Sequence, residues 1–103
     1  MEEKVIGPTD TTASLPVGGA LVVRLPELGA AGYQWRVSRI DSPALVVESD
    51  RPLPPGSTAP GGEGMHEFRL RATTAATVRV EFELSRPWEA AAEQQHTLTV
   101  TVK

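Results

Sequence analysis

Apolar and polar residues alternate one by one along several stretches of the chain, the pattern of a β-strand with one buried face. The clearest alternating runs are Leu21–Leu25, Tyr33–Val37, Val78–Leu84 and Leu98–Val102. Weaker candidates are Ala44–Glu48, Glu67–Ala72 and an edge strand around Val5 and Ile6. The alternation therefore predicts about seven short strands, each with one solvent-exposed face.

Turn-forming residues separate these runs. They cluster at Pro16 to Gly19, Pro26 to Gly32, Pro52 to Gly64 and Arg86 to Ala92. Because Ser49 to Gly64 is rich in Pro and Gly, we predict one long exposed loop there. Trp88–Gln95 has helix-forming residues but is too short to be a stable helix alone, so it is predicted as loop with at most one turn. The pattern favours an all-β, immunoglobulin-like antiparallel sandwich.

Length and charge narrow the possible functions. The 103 residues suit one domain, residues 1–103, with no room for a separate catalytic domain. A formal net charge of −3 argues against a nucleic-acid partner. No apolar run approaches the ~20 residues of a membrane span, so no membrane partner is expected. Without an apolar segment after its N-terminus, the sequence as written indicates a cytoplasmic protein, and export with a trimmed signal stays open.

Candidate catalytic and metal-binding groups do not form a recognisable pattern. There is no cysteine, and the two histidines, His66 and His96, lack metal-ligand spacing and are predicted as solvent-facing. A Gly-x-Ser-x-Gly elbow is missing, and the Gly61–Gly64 cluster lacks the Lys and helix of a phosphate-binding loop. Glu81 and Glu83 are interpreted as a solvated strand face. We therefore predict no catalytic residue, no metal and no cofactor.

The aromatic residues suggest different roles. Trp35 alternates in phase with its apolar neighbours and is predicted as a core residue of a central strand. Tyr33 lies at a loop–strand junction, where packing and partner contact are equally plausible. Trp88 follows Pro87 beyond the end of a strand, so it either folds back over the sandwich edge or forms an exposed interface anchor with Arg86, the interpretation favoured here.

Three segments together resemble the chagasin family of cysteine peptidase inhibitors across nearly the whole chain. The first, Leu-Gly-Ala-Ala-Gly-Tyr-Gln-Trp at 28–35, is similar to the family's Asn-Pro-Thr-Thr-Gly-aromatic-x-Trp segment. The second is Gly-Gly-Glu-Gly at 61–64, which leads to Phe68, and the third is Arg-Pro-Trp at 86–88. We call these the first loop, the glycine loop and the Arg-Pro-Trp loop.

The resemblance implies a reversible, non-covalent inhibitor that occludes the active-site cleft of a papain-family cysteine peptidase with these three loops. The first loop would lie nearest the target's catalytic Cys and His, with the other two on either side. The implied peptidase-binding residues are Leu28, Gly29, Ala30, Ala31, Gly32, Tyr33, Gly61, Gly62, Glu63, Gly64, Met65, Arg86, Pro87 and Trp88.

The first loop departs from the family pattern, since Leu-Gly-Ala-Ala replaces Asn-Pro-Thr-Thr. Losing the proline makes a loop less pre-organised, and ordering it on binding then costs affinity. Glu63 also adds a charge to the glycine loop. The altered loop leaves a second function open, an immunoglobulin-like module that binds another protein or a carbohydrate. We expect a monomer, and nothing in the sequence favours an enzyme.

Overall fold

The computed structural model describes residues 3–27, 32–53 and 64–103, and the regular elements in this part of the chain are all strands. They are β1 (Glu3–Ile6), β2 (Thr12–Leu15), β3 (Ala20–Glu27), β4 (Gln34–Ile40), β5 (Leu45–Leu53), β6 (Gly64–Ala72), β7 (Ala76–Ser85) and β8 (Gln94–Val102). All the predicted strands are present. The additional one is β2, whose sequence Thr-Ala-Ser-Leu is too weakly apolar to stand out.

The strands form two four-stranded sheets, with orders β1-β3-β6-β5 and β2-β8-β7-β4. The predicted all-β, immunoglobulin-like sandwich is confirmed, with eight described strands where about seven were expected. Pairing is antiparallel except at two sheet edges, where β1 runs parallel to β3 and β2 runs parallel to β8. The chain passes from β1 through β2 in the other sheet before reaching β3, which supplies the crossover that a parallel pair requires.

The core lies between the two sheets and consists of the inward residues of the alternating runs. Phe68 of β6 and Phe82 of β7 meet across the sandwich with ring centroids 5.0 Å apart. Both rings are fully buried, and fully buried aliphatic side chains surround them, including Leu21, Val23, Leu25, Leu70, Val78, Val80, Leu98 and Val100. The period-two pattern therefore identified the buried face of each of these strands correctly.

Two predicted loops begin later than expected because prolines lie within strands. β5 continues to Leu53 and β6 begins at Gly64, so the loop prediction was wrong for residues 49–53 and 64, and residues 54–63 lie outside the described residues. Pro52 is tolerated because β5 is an edge strand, which leaves one side of its backbone without a partner. Similarly, β3 continues through Pro26 to Glu27, beyond the four residues that pair with β1. By contrast, residues 86–93 form turns and bends, as predicted, but β8 begins at Gln94, so the loop prediction was wrong for residues 94 and 95.

Ion pairs cover the outer face of the first sheet. Glu67 of β6 is buried beneath Arg24 of β3 at 2.9 Å and Arg51 of β5 at 3.0 Å. Burial alone would raise the pKa of Glu67, but the hydrogen bonds and charges of the two arginines outweigh it and lower that pKa below its usual value. The described residues include no helix long and apolar enough to cross a membrane.

Candidate functional site

Strand register brings the bases of the three predicted loops to one end of the sandwich. In the first sheet, the end of β3 pairs with the start of β6, Glu27 opposite Gly64, and β5 ends there with Leu53 opposite Met65. In the second sheet, the start of β4, the end of β7 and the start of β8 are similarly adjacent. The first loop connects the two sheets at this end, and each of the others belongs to one sheet.

Gly32 and Trp88 bring the first loop and the Arg-Pro-Trp loop into contact. Gly32 has a φ of 85°, in the left-handed region that suits glycine. A Cβ at this position would lie only 2.8 Å from Cη2 of the Trp88 indole. The indole therefore lies directly against the glycine backbone, and both the left-handed φ and this close approach require glycine.

Arg86 and Tyr33 make a second connection between the same two loops. The Arg86 guanidinium lies 4.3 Å from the centroid of the Tyr33 ring, and its Nη2 donates a hydrogen bond to the Tyr33 hydroxyl. Arg86 Nε lies 3.4 Å from a carboxylate oxygen of Glu89, an ion pair without hydrogen-bond geometry. The Tyr33 hydrogen bond, followed by the nearby glutamates, raises the pKa of Arg86 above its usual value. Arg86 thus carries a fixed positive charge at this end of the molecule.

Trp88 is 71% exposed, more than the other large hydrophobic residues described. Its predicted exposure is therefore confirmed, while its role as an anchor stays a prediction. The structure brings together five predicted site residues, namely Gly32, Tyr33, Arg86, Pro87 and Trp88. Gly64 and Met65 are the first residues of β6, at the same end of the sandwich. Seven predicted site residues lie outside the described residues, namely Leu28, Gly29, Ala30, Ala31, Gly61, Gly62 and Glu63.

A polar cluster in which two of three residues are buried lies at the bases of these loops and was missed by the sequence analysis. His66 is 5% exposed, so its prediction as solvent-facing was wrong. Its Nδ1 lies 3.0 Å from Oε2 of Glu27, which is also 5% exposed, and its Nε2 contacts Oδ1 of Asp50. The same Glu27 oxygen accepts a hydrogen bond from the backbone N–H of Trp35 at 3.0 Å. We call Glu27, His66 and Asp50 the polar cluster.

Strand parity carried a signal for two of its members. His66 has the parity of the buried Phe68 and Leu70 on β6, and Glu27 has that of Leu21, Val23 and Leu25 on β3. In the described part of the chain, no group of three or more His, Asp or Glu residues is arranged to hold a metal ion.

His96 and Trp35 differ from their predictions in smaller ways. His96 is half-buried next to Phe82, and its Nε2 is buried without a hydrogen-bond partner among the described residues. Trp35 is a core residue, as predicted, but β4 is an edge strand and not a central one. The indole N–H of Trp35 donates to the carbonyl oxygen of Pro26 over 2.7 Å, which ties β4 to β3.

Comparison with known protein families assigns the chain to one of them. The family described as "Chagasin family peptidase inhibitor I42" matches residues 14–102, and the protein belongs to that family. Comparison with curated proteins gives no match.

Three solved structures share the fold across nearly the whole chain. The cysteine protease inhibitor EhICP2 from Entamoeba histolytica has a TM-score of 0.83 and 17% identity, covering 99% of this chain and 96% of its own. Amebosin, solved in solution, has a TM-score of 0.77 and 18% identity, with coverages of 100% and 99%. PbICP-C, solved in complex with falcipain-2, has a TM-score of 0.65 and 17% identity, with coverages of 99% and 90%.

Proposed function

We propose that the protein is a reversible, non-covalent inhibitor of papain-like cysteine peptidases and occludes their active-site cleft with the three loops. The observation that carries this proposal is the joined surface of the first and Arg-Pro-Trp loops. There an exposed Trp88 lies on Gly32 and Arg86 bridges to Tyr33. Family membership and the complex of PbICP-C with falcipain-2 support the class of target.

The chemistry of this surface suits binding without turnover. Trp and Arg are the residue types most enriched at interface hot spots, and here they are adjacent and held by contacts within the protein itself. Pro87 fixes its own φ and restricts Arg86 to extended conformations, so docking the loop loses little entropy. Inhibition in this proposal is stoichiometric occlusion over roughly 1,600 Å² of interface, and the protein is not itself an enzyme.

The proposed contact surface includes all three loops. The described part comprises Gly32, Tyr33, Gly64, Met65, Arg86, Pro87 and Trp88, and we extend it to residues 28–31 and 61–63. Because the first loop joins β3 in one sheet to β4 in the other, the proposal has it enter the cleft at its centre, with the other two loops on either side. The fixed charge of Arg86 beside Trp88 favours a target whose cleft rim carries acidic side chains.

The test is a titration of the purified protein against papain and a cathepsin-L-like enzyme, following the residual cleavage of a fluorogenic peptide. We expect saturable one-to-one inhibition that dilution reverses. An unrelated serine peptidase serves as the negative control. If neither cysteine peptidase is inhibited at micromolar protein, the proposal is wrong, and the altered first loop then favours a binding module for another protein or a carbohydrate.

A further inference from the structure

The polar cluster closes the base of the first loop. Glu27 is the last residue of β3, and its side chain accepts a hydrogen bond from the backbone N–H of Trp35, the last residue of the first loop, which lies on β4. The Trp35 indole repeats this connection by donating to Pro26. His66 holds Glu27 from β6, the strand that follows the glycine loop. One group of side chains thus connects the strands that carry two of the three loops.

A β-bulge brings Asp50 into the cluster. The register between β5 and β6 shifts between Val47 and Ser49, so that Asp50 lies opposite the inward-facing Phe68. Without the extra residue, the strict alternation of β5 would direct Asp50 to the outer face of the sheet. Bulges commonly redirect a side chain in this way. Here the result is a carboxylate against the second ring nitrogen of His66.

The two carboxylates are both hydrogen-bonded by His66 in only one protonation state of its ring. A neutral imidazole has one N–H, so one ring nitrogen would present a lone pair to a carboxylate oxygen. Only the doubly protonated ring donates to both Glu27 and Asp50. On β4, the group that faces the polar cluster is the uncharged backbone N–H of Trp35. The facing sheet contributes His96, separated from His66 by the rings of Phe68 and Phe82.

We propose that Glu27, His66 and Asp50 are positioning residues for the inhibitory surface and hold its loop bases in the binding geometry only while His66 carries both ring protons. This rests on the proposed function. Affinity for the peptidase is then highest at mildly acidic pH and falls as the solution becomes alkaline.

An Asp50→Asn variant separates the charge from the shape of the cluster. Its amide either accepts from a protonated Nε2 or donates to an unprotonated one, so it suits both forms of the ring. Asp50 has a side chain 46% exposed, which makes the exchange compatible with folding. The matched control is Asp41→Asn, an exposed aspartate beyond the opposite end of β4 that accepts a backbone hydrogen bond from Arg79.

The inhibition constants of the wild type and both variants are measured against one peptidase from pH 5 to pH 8. Comparing proteins at each pH cancels the pH dependence of the peptidase. We expect the inhibition constant of the wild type, relative to that of Asp50→Asn, to increase about tenfold from pH 5 to pH 8, the scale of one charge-assisted hydrogen bond. Relative to Asp41→Asn it should not change. If the ratio of the wild-type inhibition constant to that of Asp50→Asn changes by less than about twofold between pH 5 and pH 8, the proposal is overturned.

A second measurement does not involve the peptidase. The ¹⁵N chemical shifts of the His66 ring should show both nitrogens protonated at pH 5. Hydrogen exchange of the Trp35 amide should become faster than in Asp50→Asn as the neutral ring appears. A ring that is already neutral at pH 5, or Trp35 protection equal in both proteins at pH 8, overturns the positioning role. If these signatures appear but no peptidase is inhibited, the proposed function alone fails.

Discussion

Replacing Gly32 by Ala tests whether the position of Trp88 controls inhibition. The new Cβ would lie 2.8 Å from Cη2 of the indole, whereas carbon atoms in contact are ordinarily about 3.5–4.0 Å apart. The indole must therefore move by about 1 Å, and it is free to do so because it is 71% exposed. The substitution should displace the proposed anchor without opening the core.

Gly18→Ala is a matched control for the strain in the backbone. Gly18 has a φ of 87°, nearly that of Gly32, but nothing lies within 4 Å of the Cβ it would gain. It lies in the turn between β2 and β3, at the end of the sandwich away from the loops. Alanine in the left-handed region costs roughly 1–2 kcal/mol at either position. Both variants should therefore lose similar stability, about 4–8 °C in Tm for each kcal/mol.

Inhibition should separate the two variants. A displaced hot-spot aromatic costs about 2 kcal/mol or more of binding, which corresponds to roughly a 30-fold increase in the inhibition constant. We expect this increase for Gly32→Ala and no change for Gly18→Ala, with Tm measured by calorimetry and inhibition by titration of a papain-like peptidase. Equal inhibition by the two variants would refute the reasoning. A much larger loss of Tm in Gly32→Ala would show that the indole is not free to move.

Three further predictions use the same assays. Trp88→Ala should weaken peptidase binding by ~2–4 kcal/mol with little change in Tm, whereas Val17→Ala, which truncates an exposed apolar residue at the opposite end, should leave inhibition unchanged. Tyr33→Phe removes the hydroxyl that Arg86 contacts and should weaken inhibition several-fold, by about 1 kcal/mol. Binding as tight as that of the wild type would show that the Arg86–Tyr33 hydrogen bond does not contribute to inhibition. The pKa of Glu67 is lowered in the folded state, so the stability that its ionised carboxylate contributes is present above the unfolded pKa near 4.3 and is lost as the pH falls through the folded pKa. Glu67→Gln should therefore show a shallower acid-unfolding curve by circular dichroism. An unchanged slope would contradict the stabilising role of the Glu67 carboxylate.

The fold was predictable from the sequence wherever one face of a strand is continuously apolar. Val78 to Leu84 and Leu98 to Val102 alternate without interruption, and both are central to the second sheet. β2 was missed because its inward face has only two residues, Ala13 and Leu15. The end of β5 was missed because a proline breaks a central strand but is tolerated at an edge, and sequence alone does not say which strands are edges.

Where the structure describes the candidate site, the exposed Arg-Pro-Trp loop was predictable from the sequence and the base of the site was not. Arg86, Pro87 and Trp88 attracted attention because a large aromatic beyond the end of a strand needs an explanation. His66, in contrast, has the parity of core residues, but the expectation that a polar residue faces water prevailed. Its burial depends on Glu27 and on Asp50, 39 and 16 positions away in the chain, and the second contact depends on a bulge. No local pattern encodes such a bulge.

The altered first loop and the polar cluster together suggest how this chain remains an inhibitor without the family's proline. A proline pre-organises a loop from within, because it fixes a backbone angle near the tip. Here the loop is instead restrained at its base, where two hydrogen bonds from Trp35, one to Glu27 and one to Pro26, hold β3 and β4 together. Closing a loop at its base limits the number of residues that must order on binding, and the entropy cost depends on that number. Under the proposed function, the substitutions at residues 28–31 would then alter which peptidase fits, whereas the polar cluster would position the base of the loop that enters the cleft.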